Sequence, residues 1–338
     1  MNDIVTILIP CRNEVNFIEK TIDDIFLSDY PEDKIEVIVA DGGSNDGTLE
    51  KLAEIKKRYK NVIVINNEKK ITPVAFNIGL ANASGDYFMT LGARQIMDKN
   101  YIKECLAVLL NNDNIVCCGG ISKTINVNEK GKNIAKAMSS RFGVGLGNFR
   151  ALSKPQYVDT VGAPLYKKWI FEKLGWFDED LVRNQDDEFN YRVIKAGYKI
   201  FMTDKADVYY ISRDNHLNLF KQYFQYGYWK VFVNKKHKNI TTLRQIVPAL
   251  FIVLIIVACL LAFVNTLFLF CAISLMLFYF LVMAIISAKM SNGINSMRQI
   301  LLAFFCLHFG YGFGYLKGIY DFLIFNKAPA LNAKKLTR

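Results

Sequence analysis

Hydrophobic positions change character about two-thirds of the way along this chain. Before that point, short apolar runs alternate with amphipathic stretches. Ile4 to Ile9 is mostly β-branched, stops at Pro10, and reads as a buried strand. From Asn16 to Phe26 the spacing of Phe17, Ile18, Ile22 and Ile25 predicts a helix. Strands are expected at Ile35 to Ala40, Asn61 to Asn66 and Tyr87 to Leu91. Between them, helices are expected over Thr48 to Tyr59, with Thr48 as N-cap, and over Pro73 to Ala83. Regular alternation of this kind predicts an α/β domain with a mainly parallel sheet covered on both faces.

After Gln245 the pattern is apolar throughout. Gln245 to Ala288 holds no charged residue, too long a stretch for one membrane span. It fits two helices of about 20 residues turning at Asn265-Thr266. A third apolar run, Ile300 to Leu316, continues toward Phe325 and is interrupted by His308, Gly310, Gly312, Gly314, Lys317 and Asp321. Two spans return Lys289 and Arg298 to the side of the basic stretch before Gln245. A full third span would carry Lys327, Lys334, Lys335 and Arg338 outside, against the positive-inside rule, so a re-entrant or interfacial third segment is expected.

Composition supports this division. Of 338 residues 52% are apolar, and the net charge is +11. Lys230, Lys235, Lys236, Lys238 and Arg244 lie just before the first apolar run, where they suit anionic lipid and topology. No nucleic-acid-binding motif accompanies them. The seven cysteines are irregularly spaced, without zinc spacing, and suit reduced thiols. Met1 to Pro10 lacks the features of a secretory signal, so the first domain is expected in the cytoplasm of a multi-pass inner or plasma membrane protein.

In an open α/β sheet, ligands bind at the carboxyl ends of the strands. Here those ends are Pro10 to Glu14, Asp41 to Ser44, and Leu91 to Arg94. Neither a G-x-G-x-x-G nor a P-loop sequence is present. In Asp41-Gly42-Gly43-Ser44, glycines allow close backbone approach and Asp41 can accept hydrogen bonds from a base or ribose; a solvated Asx turn would look the same. Asp186, Asp187 and Glu188 are three adjacent carboxylates, suited to taking a proton from an attacking hydroxyl or to filling a charged first helical turn. Gln225 to Trp229 lies in an aromatic and basic stretch, near 217–233, that suits a helix at the membrane surface.

Taken in order, these pieces resemble glycosyltransferase family 2, an inverting group with a GT-A fold. Ile9 to Glu14 resembles its first-strand motif, and Asp41 to Thr48 its uracil and ribose loop. Asn77-Ile78-Gly79 and Ala83 to Tyr87 resemble the lead-in to its metal motif. Gly175 to Asp178 and Gln185-Asp186 resemble the acceptor segment and catalytic base, and Gln225 to Trp229 the Q-x-x-R-W helix, with Tyr228 in place of arginine. The segments Val158 to Gly162, Arg183 to Asp186 and Gln222 to Lys230 most resemble membrane-associated exopolysaccharide transferases of the succinoglycan type.

The resemblance implies a nucleotide-sugar donor held by Pro10, Arg12, Asn13, Glu14, Asp41, Gly43, Ser44 and Asn77, and a lipid-linked saccharide acceptor. It implies catalysis by Asp186 with Asp187, Glu188 and Arg192 beside it, and an acceptor or interfacial role for Gln225 and Trp229. Glu188 and Arg192 either orient Asp186 or form a structural ion pair. The expected organisation is a transferase domain over 1–230, a membrane region over 245–325 and a basic tail over 326–338. One departure stands out. Where the family places Asp-x-Asp, which binds Mg2+ or Mn2+, this chain reads Gly92-Ala93-Arg94. Either Arg94 partly replaces the cation on the diphosphate, or the chain is a non-catalytic partner in polysaccharide assembly.

Overall fold

The computed structural model describes residues 3–145 and 148–328. Lys334, Lys335, Arg338 and most of the expected basic tail lie outside them. In chain order the elements are β1 (Val5–Cys11), α1 (Ile18–Phe26), β2 (Ile35–Asp41), α2 (Thr48–Arg58), β3 (Val62–Asn66), α3 (Thr72–Asn82), β4 (Tyr87–Thr90) and β5 (Gln95–Met97). There follow α4 (Tyr101–Leu110), β6 (Ile115–Ile125), α5 (Glu129–Met138), α6 (Arg141–Val144), β7 (Gln156–Val158), β8 (Leu165–Lys167), α7 (Trp169–Leu174), α8 (Gln185–Lys195) and β9 (Lys199–Ile211). The helices α9 (His216–His237), α10 (Val247–Leu261), α11 (Leu267–Met290) and α12 (Ile294–Gly318) complete the chain.

Two compact units result. The first takes Met1–Lys123 and Leu152–Ile211; the second takes Thr124–Ala151 and Ser212–Arg338. A boundary at 230 would cut through α9. The excursion over 124–151 gave no sign of its allegiance in the sequence, because its amphipathic helix α5 would suit either unit.

In the first unit, the sheet runs β3-β2-β1-β4-β8-β6-β9-β5. The β3, β2, β1 and β4 strands are parallel, in register from Val5 opposite Ile35 to Cys11 opposite Asp41. Alternate residues of β1 enter opposite cores. Ile7 and Ile9 pack with Val37, Val39, Ile22, Ile25 and Leu52, while Leu8 packs with Ile38, Phe76, Leu80 and Phe88. Burial on both faces is why β1 reads as a continuous apolar run. Beyond β4 the pairings turn antiparallel, β8 against both β4 and β6. These strands are short or lie between loops, so the chain order did not reveal them.

The second unit is helical. The segments 243–261, 267–290 and 294–324 are each long and apolar enough to cross a membrane. Leu254, Leu260, Leu277 and Phe278 are exposed on them, and Phe263 is 91% exposed. Water does not tolerate an apolar face of this extent; a bilayer does. The turn falls where expected, with the Leu267 amide donating to Asn265 Oδ1 at 2.9 Å.

Two expectations are corrected here. The glycines of the third apolar run do not break it: α12 continues unbroken into a π-helical turn, Ile319–Ile324, so it does not reverse as a re-entrant segment must. Instead they form a seam. A Cβ on Gly314 would lie 2.0 Å from the Phe224 carbonyl, one on Gly310 2.9 Å from that of Phe220, and one on Gly318 2.8 Å from that of Tyr228. From the other side, a Cβ on Gly227 would lie 2.1 Å from the Tyr311 carbonyl. Small residues at every fourth position let α9 and α12 pack backbone to backbone. For the same reason α9 is not a free surface helix: Tyr228, Trp229 and Lys230 on it are buried.

Candidate active site

At the carboxyl end of β1 the chain turns through Asn13, whose φ is 55°, into Glu14. At the end of β2 it turns through Asp41. The buried Asp41 carboxylate accepts from the Gly43 amide at 2.8 Å, from the Ser44 amide at 2.9 Å and from the Ser44 hydroxyl. The φ of 74° at Gly43 is a conformation that other residues rarely adopt. The two turns are laced together. The Asn13 amide donates to Ser44 Oγ at 2.8 Å, and the Asn45 amide donates to Asn13 Oδ1 at 2.9 Å. The Glu14 amide donates to Thr48 Oγ1 at 2.9 Å. Pro10, Arg12, Asn13, Glu14, Asp41, Gly43 and Ser44 are therefore gathered at one sheet edge.

The cap of α2 differs from expectation. Gly47 occupies the N-cap with φ 95°, and Thr48 is the first helical residue. Asp46 accepts the Thr48 amide instead, at 3.1 Å. Burial raises the Asp46 carboxyl, but bonds from the Thr48 hydroxyl and the Val15 and Thr48 amides outweigh it and hold it below its usual range.

At the end of β4, the Gly92 amide donates to Gln95 Oε1 at 2.6 Å. Arg94 Nε donates to Glu14 Oε2 at 2.7 Å, and the guanidinium lies 4.8 Å from the Phe17 ring centroid. Glu14, expected among nucleotide-binding residues, thus gives its carboxylate to Arg94. Neither end of the Asp-x-Asp position carries a carboxylate here: Gly92 has no side chain and Arg94 is cationic. Among the described residues, no three His, Cys, Asp or Glu side chains gather to hold a metal ion.

Farther along the chain, α8 begins after Asn184, whose φ is 61°, with Asp186 and Asp187 in its first turn. The Asp186 side chain stands exposed. Three strand spacings, about 14 Å, separate β2 from β8 across the sheet. Burial, followed by charge on Cys117 and Asp186, pushes the Tyr166 phenol of β8 well above its usual range. Tyr166 Oη donates to Asn190 Oδ1 of α8 at 2.9 Å. Phe171 and Phe189 stack at 4.4 Å beneath the helix, with Phe177 at 5.1 Å from Phe189.

Three residues expected at the site serve as braces. Arg192 bonds both oxygens of buried Glu188 at 2.9 Å, and donates to the carbonyls of Leu174, Gly175 and Trp176. The pair is thus a structural ion pair, the second of the two expected alternatives, and it clamps the loop before α8. Asn77 spends its amide on the Phe177 backbone, at 2.9 Å to the carbonyl and 3.0 Å from the amide, and on Glu179. It fixes the segment before α8 and has no amide group spare for a nucleotide. Trp229 is fully buried in the helical unit, packed on Tyr228 and Phe232, and is not a surface anchor. Gln225 is half-buried on the same helix.

Sequence reading missed Lys70 and Asn67. Lys70 has φ 58°, and its exposed ammonium stands 3.3 Å from where a Gly43 Cβ would be. Asn67 is buried and donates its backbone N–H to the Asp41 carbonyl at 2.7 Å, while its side-chain amide donates to the Ile71 carbonyl at 3.0 Å. Position at the end of β3, beside two other loop-bearing strand ends, was the signal available.

The sequence that carries these loops matches a known family. The model of "Glycosyl transferase family 2" covers residues 6–175. A relative in Rhizobium meliloti, the succinoglycan biosynthesis protein ExoA, is 32% identical over 263 residues, 77% of this chain and 78% of its own. The chain belongs to glycosyltransferase family 2. A Methanococcus voltae relative, dolichyl N-acetyl-alpha-D-glucosaminyl phosphate 3-beta-D-2,3-diacetamido-2,3-dideoxy-beta-D-glucuronosyltransferase, is 31% identical over 70% of this chain and 76% of its own. As a family 2 member the chain is a glycosyltransferase. The same GT-A fold is seen in a mannosyltransferase from Pyrobaculum calidifontis solved with GDP-Man and Mn2+, at 15% identity and TM-score 0.52 over 97% of this chain and 76% of that one. GalNAc-T7, solved with UDP, GalNAc and Mn2+, has 20% identity and TM-score 0.51 over 62% of this chain and 44% of its own. The membrane-length helices of this glycosyltransferase associate it with a membrane.

Proposed function

We propose that the protein moves one sugar, with inversion, from a nucleoside-diphosphate sugar to a hydroxyl of a lipid-linked saccharide in exopolysaccharide synthesis. The laced turns at Asp41 and Pro10 to Glu14 hold the nucleotide, and Lys70 lies beside them. Asp186 accepts the proton of the acceptor hydroxyl. That oxygen bonds to the anomeric carbon as the bond to the diphosphate breaks, and the electron pair leaves on the diphosphate oxygen. The observation that carries this reading is the exposed Asp186, held at the start of a helix braced by Glu188, Arg192 and Asn77. The names of the two relatives, one in succinoglycan synthesis and one acting on a dolichyl-linked sugar, support the lipid-linked acceptor.

The protein is read as multi-pass, its catalytic unit in the cytoplasm. Lys235, Lys236, Lys238 and Arg244 precede α10, where positive charge marks the cytoplasmic side and attracts anionic lipid. Membranes containing the full chain, given radiolabelled UDP-, GDP- and dTDP-sugars, are expected to accumulate label in the organic-solvent-extractable lipid. Label absent from that fraction with every donor, while the protein is present and folded, would overturn the reading.

A further inference from the structure

The diphosphate that leaves during transfer carries negative charge that must be met. In two solved neighbours Mn2+ accompanies the nucleotide. Hard divalent cations need several oxygen ligands, usually carboxylates. At the corresponding strand end Gly92 and Arg94 supply none, and the Glu14 carboxylate beside them is taken by Arg94. Gly92 has no side chain, its amide is taken by Gln95, and Arg94 would repel a cation. Nor does Asp41 compensate, since its carboxylate oxygens already take bonds from Gly43 and Ser44.

What the strand end offers is a fixed guanidinium. Glu14 holds Arg94 by Nε alone, at 2.7 Å, and Phe17 lies against its face at 4.8 Å. Among the described residues the two terminal NH2 groups of Arg94 have no acceptor, and they form the fork that matches phosphate oxygens. Formally the pair is neutral, but its two ends differ. The Glu14 side chain is 11% exposed and the Arg94 side chain 38%, so the positive end faces outward. The next residue toward the nucleotide loop, Asn13, is bonded to Ser44.

We propose that Arg94, positioned by Glu14 and Phe17, neutralises the leaving diphosphate, and that donor binding needs no divalent cation. This rests on the donor-site reading above. The test uses the full chain in detergent and compares affinities for UDP, GDP, CDP, ADP and dTDP in EDTA and in Mn2+. The tightest nucleoside diphosphate is expected to bind with affinities within about twofold of each other in the two conditions. Arg94→Gln is expected to weaken that diphosphate about 10- to 100-fold, the loss of charge-assisted bonds, while the free nucleoside changes less than about twofold. Glu14→Gln, which keeps the shape but loosens the guanidinium, should lose less, about 3- to 10-fold, and serves if Arg94→Gln does not fold. Binding that appears only with Mn2+, or a diphosphate affinity untouched by these substitutions, would overturn the inference alone. Failure of every nucleotide in both conditions would overturn the donor site itself.

Discussion

Side chains that look catalytic in a sequence often prove to be braces, and Asn77, Glu188 and Arg192 are of this kind. Asn77 meets Phe177 across 100 residues of chain, a partner no local pattern reveals. Asn77→Ala would leave the buried backbone amide and carbonyl of Phe177 unsatisfied. A loss of about 2–3 kcal/mol is expected, read as a lower denaturant midpoint for the first unit. Arg192→Ala strands the buried Glu188 carboxylate and should cost about 3–5 kcal/mol by the same measurement. By contrast the placement of Asp41 at a strand's end and of Asp186 in a helix's first turn was legible, because local pattern marks both positions. Lys70 was not, since a lysine in a polar loop has no pattern to mark it. A pH effect is expected at His216, whose Nε2 lies 3.0 Å from the Gln299 carbonyl. Burial lowers its basicity, with the Gln299 bond opposing and Lys130 adding. A base depressed in the fold takes up protons more readily unfolded, so stability is full above the usual histidine range, near pH 6.5, and falls as pH drops through it. His216→Gln should flatten the fall in melting temperature between about pH 7 and 5.

At the scale of elements, periodicity located β1, β2, β3, β4 and the helices between them to within a few residues. The same reasoning located the turn at Asn265. It failed where the signal was steric. Glycines in an apolar run read as breaks when helix propensity alone is considered. Here Gly310, Gly314 and Gly318 instead admit the backbone of α9. Gly314→Leu should therefore separate α9 from α12. Overpacking costs about 1–3 kcal/mol in ordinary cores, and more is expected where a backbone carbonyl blocks the new Cβ. Detergent-solubilised Gly314→Leu protein should melt earlier than Gly293→Leu, whose position has nothing within 4 Å of a built Cβ although its φ of 133° adds strain.

Over the whole molecule, an α/β glycosyltransferase domain is joined to three helices long and apolar enough to cross a membrane. The antiparallel half of the sheet and the excursion over 124–151 were not legible, because both depend on contacts distant in sequence. On the proposed reading, glycosyl transfer depends on one exposed carboxylate, at position 186. The most direct measurement is lipid-linked sugar formation by Asp186→Asn beside the unaltered protein, with donor affinity measured on both. Turnover is expected to fall about 10²- to 10⁴-fold, the usual contribution of a general base, while donor affinity stays within about twofold. Undiminished turnover by Asp186→Asn would contradict the account.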